Sequence, residues 1–302
     1  MRILLLGANG QVGHELRRSL APLGTVIAAT RRGALAEGVP AIAADFDQPA
    51  RLAEVVEETA PDLVVNAAAY TAVDKAEDDM EAAYRANAEA PKVLAEACRE
   101  RGARLVHYST DYVFPGNADR PYAEDDATSP LGVYGASKLA GEEAIRASGT
   151  PHLIFRTAWV YGARGSNFLL TMLRLARERD ELRVVADQSG TPTPARLIAD
   201  LTAEVLRDHP QASGTFHLTA GGGTSWHGFA QAILERAYRR GVIERQPRVL
   251  PIATSDYPTR ARRPAYSRLD THRLEQLLGR VMPDWSSELD RALDQLSAGP
   301  AT

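Results

Sequence analysis

Apolar and polar residues along the first half of the chain follow two alternating patterns. Short apolar runs have the length and composition of buried strands, and they predict strands at 2–6, 25–29, 41–44, 63–66, 104–108 and 152–156. Between them, apolar residues recur three and four positions apart, and this spacing predicts helices at 12–20, 49–59, 81–101 and 134–147. Strands that alternate with helices in this way predict an α/β fold with a Rossmann-like, doubly wound parallel sheet.

The alternation of strand and helix patterns ends after about residue 160, where loops rich in Gly, Pro and Thr replace regular strands. Helices are predicted at 167–179 and 194–207 and one more strand at 215–218, whereas five prolines between 247 and 283 predict short pieces and turns in the tail. We therefore predict two domains. One is 1–160, to which 191–220 returns, and the other is a smaller C-terminal α/β region made of 161–190 and 221–302. A cleft between them is the expected ligand site.

The composition narrows the classes of function. Thirty-five basic and 39 acidic residues give a net charge of −4, which offers no electrostatic basis for binding nucleic acid. No apolar stretch approaches the roughly 18 residues of a membrane span, so no membrane partner is expected. The single cysteine, Cys98, cannot form an internal disulfide, which favours a reducing, cytoplasmic location.

A glycine-rich segment lies between the first predicted strand and the first predicted helix. Its sequence, Gly7-Ala-Asn-Gly10-Gln-Val-Gly13, permits positive φ in the turn, close approach of the backbone to a pyrophosphate, and close helix–strand packing. The helix N-terminus then offers free N–H groups to an anion. A tight turn without a ligand is the alternative, but the position favours a dinucleotide site formed by Gly7, Asn9, Gly10, Gln11, Val12 and Gly13.

The residues after the second predicted strand bear on the choice between NAD and NADP. A carboxylate at this point binds the ribose 2′-hydroxyl and repels a 2′-phosphate. Here Thr30 is followed by Arg31 and Arg32, and the next acid is Glu37. Because arginine meets a phosphate with a bidentate fork, we expect NADPH to be preferred, with the use of NADH left open. The alternative is that the two arginines merely cover an exposed turn.

Two further strand ends are expected to contact the same cofactor. Asp45 and Phe46 follow the third predicted strand, where they would flank the adenine. The fourth strand is followed by small residues that would let the cofactor lie against its carboxyl end: Ala67, Ala68 and Ala69.

Tyr134 and Lys138 lie four residues apart in a predicted helix, and therefore one turn apart on the same face. An adjacent ammonium stabilises a phenolate, so we expect Lys138 to lower the pKa of Tyr134 and make it a general acid. An ordinary exposed helix pair is the alternative. Thr110, after the fifth predicted strand, is placed to hydrogen-bond a substrate carbonyl. His107 lies within that apolar strand, which favours a core position over a catalytic role.

Together these motifs resemble a known family. The glycine triplet, Asn66-Ala-Ala-Ala, Ser109-Thr110-Asp111-Tyr-Val-Phe and Tyr134-x-x-x-Lys138 are similar to the extended short-chain dehydrogenase/reductases, which bind NAD(P) and act largely on nucleotide sugars. Among these, six segments in order resemble the dTDP-4-dehydrorhamnose reductase family: STDYVFPG (109–116), YGASKLAGE (134–142), FRTAWVYG (155–162), NF (167–168), DQSGTPTPA (187–195) and RRPAYSRLD (262–270).

The resemblance implies an activity and the residues that perform it. A member of this family would use NADPH to reduce the C4 keto group of dTDP-4-dehydro-6-deoxy-L-mannose, giving dTDP-L-rhamnose. Thr110, Tyr134 and Lys138 would be the catalytic set, with Tyr134 giving a proton to the C4 oxygen and Lys138 also holding the nicotinamide ribose. The first domain would then bind NAD(P) and the second the substrate.

The resemblance also implies substrate contacts. Thr110 and Tyr134 would meet the reacting carbonyl, and Asp111 and Trp159 would contact the deoxysugar, Trp159 by packing on its apolar face. A core position is the alternative for Trp159. The nucleotide half calls for amide or guanidinium donors, which the resemblance assigns to Asn167, Arg262 and Arg263.

Other functions found on the same fold are less favoured by the residues of this chain. Nucleotide-sugar dehydratases carry an Asp-Glu pair after the threonine, whereas Tyr112 follows Asp111 here, which disfavours dehydration. An epimerase or another nucleotide-sugar reductase would use the same tyrosine and lysine, so these residues leave both open, although the segments after residue 155 disfavour the epimerase. A non-catalytic, dinucleotide-binding regulatory subunit would be expected to lose Tyr134 or Lys138.

No metal site is predicted from the sequence. The scattered histidines have no ligand spacing, and the acidic run at 124–126 is interpreted as a solvated loop, so a role for Mg²⁺ is left open. The expected partner is a dTDP-sugar substrate, and the chain is expected to be a monomer or a homodimer.

Overall fold

A computed structural model of the chain describes residues 1–36 and 38–297. The strands of its first half are β1 (Arg2–Leu6), β2 (Thr25–Thr30), β3 (Ile42–Ala43), β4 (Leu63–Asn66), β5 (Arg104–Thr110) and β6 (His152–Thr157). The helices between them are α1 (Gln11–Ser19), α2 (Pro49–Thr59), α3 (Val73–Ala76), α4 (Met80–Tyr84), α5 (Ala90–Arg101) and α6 (Val133–Ser148).

The second half contains shorter strands and longer helices. In chain order these are β7 (Val160–Tyr161), α7 (Phe168–Glu178), β8 (Glu181–Val185), β9 (Ser189–Gly190), β10 (Thr193–Pro194), α8 (Ala195–Asp208), β11 (Gly214–His217), β12 (Thr224–Ser225), α9 (Trp226–Arg239), β13 (Arg248–Ile252), α10 (His272–Leu278) and α11 (Trp285–Ser297).

Within the described residues, seven parallel strands form the central sheet in the order β11-β6-β5-β4-β1-β2-β3. This sheet confirms the predicted Rossmann-like, doubly wound α/β fold. The strand order reverses direction between β1 and β4, so the loops that follow these two strands diverge and open a crevice at the carboxyl edge. The segments after Leu6 and after Asn66 therefore border the same crevice.

Helices cover both faces of the sheet and bury its apolar strands. On one face α1 packs against α8, and Leu5 and Val65 belong to the core beneath them. On the other face α5 packs against α2 and α6, over a core that includes Leu4 and Val64. Neighbouring residues of β1 and β4 thus enter opposite cores, as expected for strands buried on both sides.

The predicted elements of the first half match the structure except in one helix. Strands 2–6 and 63–66 and helix 49–59 are confirmed with the same bounds. The predicted helix 81–101 is instead two α-helices, α4 and α5, separated by a π-helical segment at Arg85–Glu89. Asn87 in that segment bonds the backbone of Tyr70, which borders the crevice.

The prediction of short pieces and turns is confirmed between the prolines at 247 and 283, where β13 has five residues and α10 has seven, but it is wrong for α11, which follows Pro283 and has 13 residues. The prolines of the tail lie outside its helices: Pro247 follows α9, and Pro283 precedes α11. They therefore bound the helices and do not interrupt them. Strands β8 and β13 pair in parallel, and neither was predicted.

The second half builds a core of its own. Leu173 of α7, Val184 of β8, Phe229 of α9 and Leu293 of α11 belong to one buried cluster. By contrast, β11 pairs with β6 in the central sheet, and α8 packs on α1. These contacts support the proposed division, in which 191–220 returns to the first domain. The last residues of the second predicted domain, 298–302, lie outside the described part of the chain.

Candidate active site

A cleft of about 800 Å³ lies at the carboxyl edge of the sheet and extends toward α9 of the smaller region. Most residues predicted to bind ligands line it, namely Gly7, Gly10, Gln11, Val12, Arg31, Phe46, Ala67, Ala68, Ala69, Thr110, Asp111, Tyr134, Lys138, Trp159 and Arg263. Six predicted residues lie outside this lining: Asn9, Gly13, Arg32, Asp45, Asn167 and Arg262. The first group contains all three residues predicted to be catalytic.

The glycine-rich loop between β1 and α1 is packed too closely for side chains. Gly7 has a φ of 75°, and a Cβ there would lie 2.7 Å from the backbone nitrogen of Ala68. A Cβ on Gly13 would lie 2.1 Å from the carbonyl oxygen of Gly7. Gly10 precedes α1 without a side-chain cap, so the first N–H groups of that helix are left for an anion. This cradle fits the pyrophosphate of a dinucleotide.

Asn9 and Gly13 support the glycine-rich loop without lining the cleft. The amide of Asn9 donates to the carbonyl oxygen of Ala34 and accepts from the backbone nitrogen of Ala36, each at 2.9 Å. It therefore ties the glycine-rich loop to the loop that follows β2. Gly13 acts by leaving room for Gly7.

The two arginines after β2 differ in position. Arg31 lines the cleft, with Nε 3.4 Å from Oδ1 of Asp45 and Nη2 3.9 Å from Oδ2 of Asp47. Arg32 is exposed and lies outside the cleft lining. Asp45 thus contacts a residue of the cleft without lining the cleft itself. Glu37, the next acid in the sequence after the two arginines, lies outside the described residues.

Thr110, at the end of β5, contacts the buried carboxylate of Asp111 and lies near Tyr134. Its hydroxyl donates to Oδ1 of Asp111 at 2.9 Å and accepts from the backbone nitrogen of Tyr112 at 3.2 Å. Burial raises the pKa of Tyr134 to about 12, and the nearby Thr110 side chain opposes this shift. Burial likewise raises the pKa of Asp111 to about 6. Tyr134 is thus held as a neutral phenol that has a proton to give.

Lys138 is buried one helical turn beyond Tyr134, and its amine points into the protein. Nζ lies 2.7 Å from the carbonyl oxygen of Tyr108 and 3.1 Å from Nε2 of His107. Burial lowers the pKa of Lys138 to about 8. The expectation that Lys138 lowers the pKa of Tyr134 is wrong for this structure, because burial of the phenol outweighs the other effects.

Glu142 lies one turn beyond Lys138 in a buried ion pair that the sequence did not single out. Arg156 of β6 contacts this carboxylate through Nε at 2.9 Å and Nη2 at 2.7 Å, and Arg146 contacts it as well. Although burial opposes it, the hydrogen bond from Arg156 holds the pKa of Glu142 below its usual value. The pair fixes the middle of α6 against β6.

A pair of stacked aromatic rings forms part of the wall of the cleft. Trp159 and Trp226 both line the cleft, and their rings are stacked with centroids 3.6 Å apart. Trp159 has a φ of 46°, an uncommon value for a residue other than glycine. Trp226 was missed, although Ser225 followed by apolar residues at three- and four-residue spacing is a recognisable helix start.

Of the residues predicted to hold the nucleotide half, Arg263 alone lines the cleft. Its guanidinium donates to both oxygens of Asp74, at 3.1 and 2.7 Å. The hydrogen bond from Arg263 lowers the pKa of Asp74, which keeps that carboxylate charged. Arg262 is exposed outside the lining. Asn167 caps α7 and donates to Oε1 of Gln11 at 2.8 Å, so it supports a residue that lines the cleft.

Across residues 1–36 and 38–297, no group of three or more His, Cys, Asp or Glu side chains is arranged to hold a metal ion. In the same residues, no helix combines the length and apolar character that crossing a membrane requires.

Comparison with known proteins matches the chain over nearly its full length. The RmlD substrate binding domain family matches residues 1–298. A dTDP-4-dehydrorhamnose reductase of Burkholderia thailandensis is 51% identical over 296 residues, covering 94% of this chain and 95% of that protein. The enzyme of the same name from Shigella flexneri is 49% identical over 299 residues, covering 98% of each.

A solved structure extends the likeness to three dimensions. The crystal structure of dTDP-4-dehydrorhamnose reductase from Bacillus anthracis, in complex with NADP, has a TM-score of 0.87 at 34% identity and covers 97% of this chain and 99% of that one. The glycine-rich cradle and the tyrosine–lysine pair point to the same family as these full-length matches. The chain belongs to the dTDP-4-dehydrorhamnose reductase family of extended short-chain dehydrogenase/reductases.

Proposed function

We propose that this protein reduces the C4 keto group of dTDP-4-dehydro-6-deoxy-L-mannose to give dTDP-L-rhamnose, with NADPH as the reductant. The observation that carries the proposal is that one cleft is lined by the glycine-rich cradle, the Thr110–Tyr134–Lys138 set and the stacked tryptophans. The full-length relatives named above as dTDP-4-dehydrorhamnose reductases support the choice of substrate.

The proposed reaction needs a hydride at C4 and a proton at the C4 oxygen. The reduced nicotinamide, when bound, supplies the hydride. Tyr134 holds the proton, because burial keeps its phenol neutral with a pKa of about 12. Thr110 lines the same cleft near that phenol, where its hydroxyl would hydrogen-bond the keto oxygen. As the oxygen becomes an alkoxide it takes the phenolic proton.

The remaining cleft residues would bind and orient the two ligands. The backbone of Gly7 and Gly10 and the start of α1 would hold the pyrophosphate. Trp159, supported by Trp226, would cover the apolar face of the deoxysugar. Asp111 would accept a hydrogen bond from a sugar hydroxyl. Arg263, held in place by its bidentate bond to Asp74, would bind the substrate diphosphate.

Arg31 supports the preference for NADPH, since it is the arginine of the pair that lines the cleft. Its contacts with Asp45 and Asp47 are longer than hydrogen bonds, which leaves the guanidinium able to pair with a 2′-phosphate. The NADP complex of the Bacillus anthracis protein is consistent with this role.

The direct test is the loss of NADPH absorbance when the purified protein meets dTDP-4-dehydrorhamnose. Other dTDP-linked and UDP-linked 4-keto sugars serve as comparison substrates, and NADH replaces NADPH in a parallel series. Fast oxidation with dTDP-4-dehydrorhamnose and not with the others supports the proposal. Binding of NADPH without turnover of any sugar would contradict it and favour a regulatory, dinucleotide-binding role.

A further inference from the structure

His107 connects the catalytic lysine to a buried asparagine on the next strand. The side chain is completely buried in β5. Its Nε2 lies 3.1 Å from Nζ of Lys138, and its Nδ1 lies 3.1 Å from Nδ2 of Asn66 on β4. Asn66 and His107 are register partners of the two paired strands. The three side chains thus form one continuous chain of hydrogen bonds behind the cleft.

The hydrogen-bonding groups in this chain determine where the ring proton of His107 lies. Oδ1 of Asn66 accepts from the backbone nitrogen of Ala68 at 3.1 Å, and a backbone N–H can only donate. This fixes the amide so that its NH₂ group faces His107, whose Nδ1 must therefore accept. A neutral imidazole that accepts at Nδ1 carries its proton on Nε2. Burial, and secondly the nearby Lys138, hold the pKa of His107 well below its usual value, which agrees with a neutral ring.

The N–H at Nε2 points at Nζ of Lys138, and this arrangement favours the neutral amine over the ammonium form of the lysine. A neutral amine accepts that N–H with its lone pair and still donates to the carbonyl oxygen of Tyr108, 2.7 Å away. An ammonium has no lone pair, so it would set two donors against each other. Relief would require the ring proton to move to Nδ1 and the Asn66 amide to turn, which would break the bond from Ala68.

We propose that Asn66 and His107 are positioning residues that act through Lys138: they hold an N–H against its amine and so make the ammonium form release its proton readily. In the proposed reaction Tyr134 gives its hydroxyl proton to the substrate oxygen. A proton released by Lys138 replaces it, and the neutral amine later regains one from water. The role in turnover rests on the proposed function, whereas the effect on Lys138 does not.

The charged groups around Lys138 are consistent with this assignment. Glu142 on the same helix raises the pKa of Lys138, but that carboxylate is bound by Arg156 of β6 and by Arg146. Tyr134, one turn earlier, is a neutral phenol, and Asp111 after β5 is hydrogen-bonded to Thr110. On the side of β4, the uncharged Asn66 is linked to Lys138 by hydrogen bonds through His107.

The test measures the titration of Lys138 directly, without substrate. The chain has three lysines, Lys75, Lys92 and Lys138, so the full-length protein labelled with ¹⁵N- and ¹³C-lysine gives few side-chain signals, and Lys138→Met identifies the one of interest. We expect this lysine to titrate near pH 8. Titration near the ordinary lysine value of about 10.4 would overturn the proposal.

Asn66→Asp reverses the direction of the hydrogen bonds with almost no change of shape. One carboxylate oxygen keeps the bond from Ala68, and the other accepts from Nδ1, so Nε2 becomes an acceptor for the ammonium. The pKa of Lys138 should rise by about one unit or more. The same substitution in a His107→Phe background isolates the effect of the added charge. An equal rise in both backgrounds would show that charge alone acts and would contradict the relay.

Two further variants keep the proposal falsifiable if Asn66→Asp does not fold. His107→Gln offers an amide oxygen to the ammonium and should also raise the pKa of Lys138, so an unchanged titration counts against the proposal. Val106→Ala is the packing control, because Val106 is a fully buried neighbour in β5 that belongs to the core on the other face. It should leave the Lys138 signal unchanged.

Turnover gives an independent readout. The rate should fall at alkaline pH as Lys138 loses its proton, and Asn66→Asp should move that fall to higher pH by the amount seen in the titration. A shifted titration with an unshifted rate profile would overturn the role in turnover. Absence of turnover with every sugar would contradict the proposed function while leaving the titration result intact.

Discussion

The indole rings of Trp159 and Trp226 lie face to face, with centroids 3.6 Å apart and planes within 6° of parallel. Trp159 comes from the turn after β6, and Trp226 is the first residue of α9. The stack therefore joins the central sheet to the smaller region at the cleft itself. Gly190 makes room for it, because a Cβ there would lie 2.4 Å from the Trp159 ring.

Trp226→Ala should weaken substrate binding while leaving the cofactor site intact. An aromatic pair contributes about 0.5–1.5 kcal/mol beyond its buried area, and about 1.4 kcal/mol is tenfold in affinity. We expect the KM for the dTDP-sugar to rise about tenfold, with little change in the KM for NADPH, as measured by steady-state kinetics. Trp285→Phe is the control, since that indole packs on Phe229 outside the cleft lining. Equal KM values for Trp226→Ala and the native protein would contradict this role.

The sequence predicted the central sheet well because its strands are buried on both sides. Segments such as 2–6 and 63–66 are uninterrupted apolar runs flanked by amphipathic helices, and few other structures fit that pattern. The glycine-rich loop and the Tyr134–Lys138 pair are local in sequence, so their spacing alone placed them on the right elements.

The contacts that the sequence did not reveal depend on tertiary structure. Trp226 reaches Trp159 only because α9 packs beside the cleft, 67 positions away along the chain. Lys138 was expected to act on Tyr134, but the fold provides it with His107 and the Tyr108 carbonyl as partners. Periodicity does not show which of several nearby polar groups a buried amine will choose.

Tyr134→Phe tests the proton donor. The substitution removes the hydroxyl and keeps the ring, so kcat should fall by roughly 10² or more with little change in NADPH affinity. Rapid-mixing measurement of NADPH oxidation and a separate binding titration check the two parts. Tyr238→Phe removes a phenol from an exposed position and should have no effect. Native turnover in Tyr134→Phe would exclude this tyrosine as the acid.

Arg31→Ala tests the choice of cofactor. Loss of the guanidinium that lines the cleft should raise the KM for NADPH by about tenfold and change the KM for NADH much less. Arg32→Ala is the matched control, because Arg32 is the adjacent arginine and lies outside the lining. The sequence predicts this role for both arginines, whereas the structure favours Arg31, which lines the cleft. Equal changes for the two cofactors in Arg31→Ala would contradict recognition of a 2′-phosphate.

Glu142→Gln tests the buried ion pair beneath the site. The substitution leaves Arg156 buried without its carboxylate, which typically costs about 3 kcal/mol and should appear as a lower midpoint of urea unfolding at neutral pH. Glu178→Gln, in an exposed pair with Arg174, should change the midpoint little.

The pH dependence of that loss distinguishes an ionic role from a loss of packing. The pKa of Glu142 is lower in the folded protein than its ordinary value, so its stabilising charge is fully present above the unfolded-state pKa of about 4.3. As the pH falls through the folded-state pKa, the native protein loses this contribution, whereas Glu142→Gln has none to lose. The difference in unfolding free energy between the two proteins should therefore shrink at acid pH. A difference that stays constant across this range would show that Glu142 stabilises the fold by shape alone.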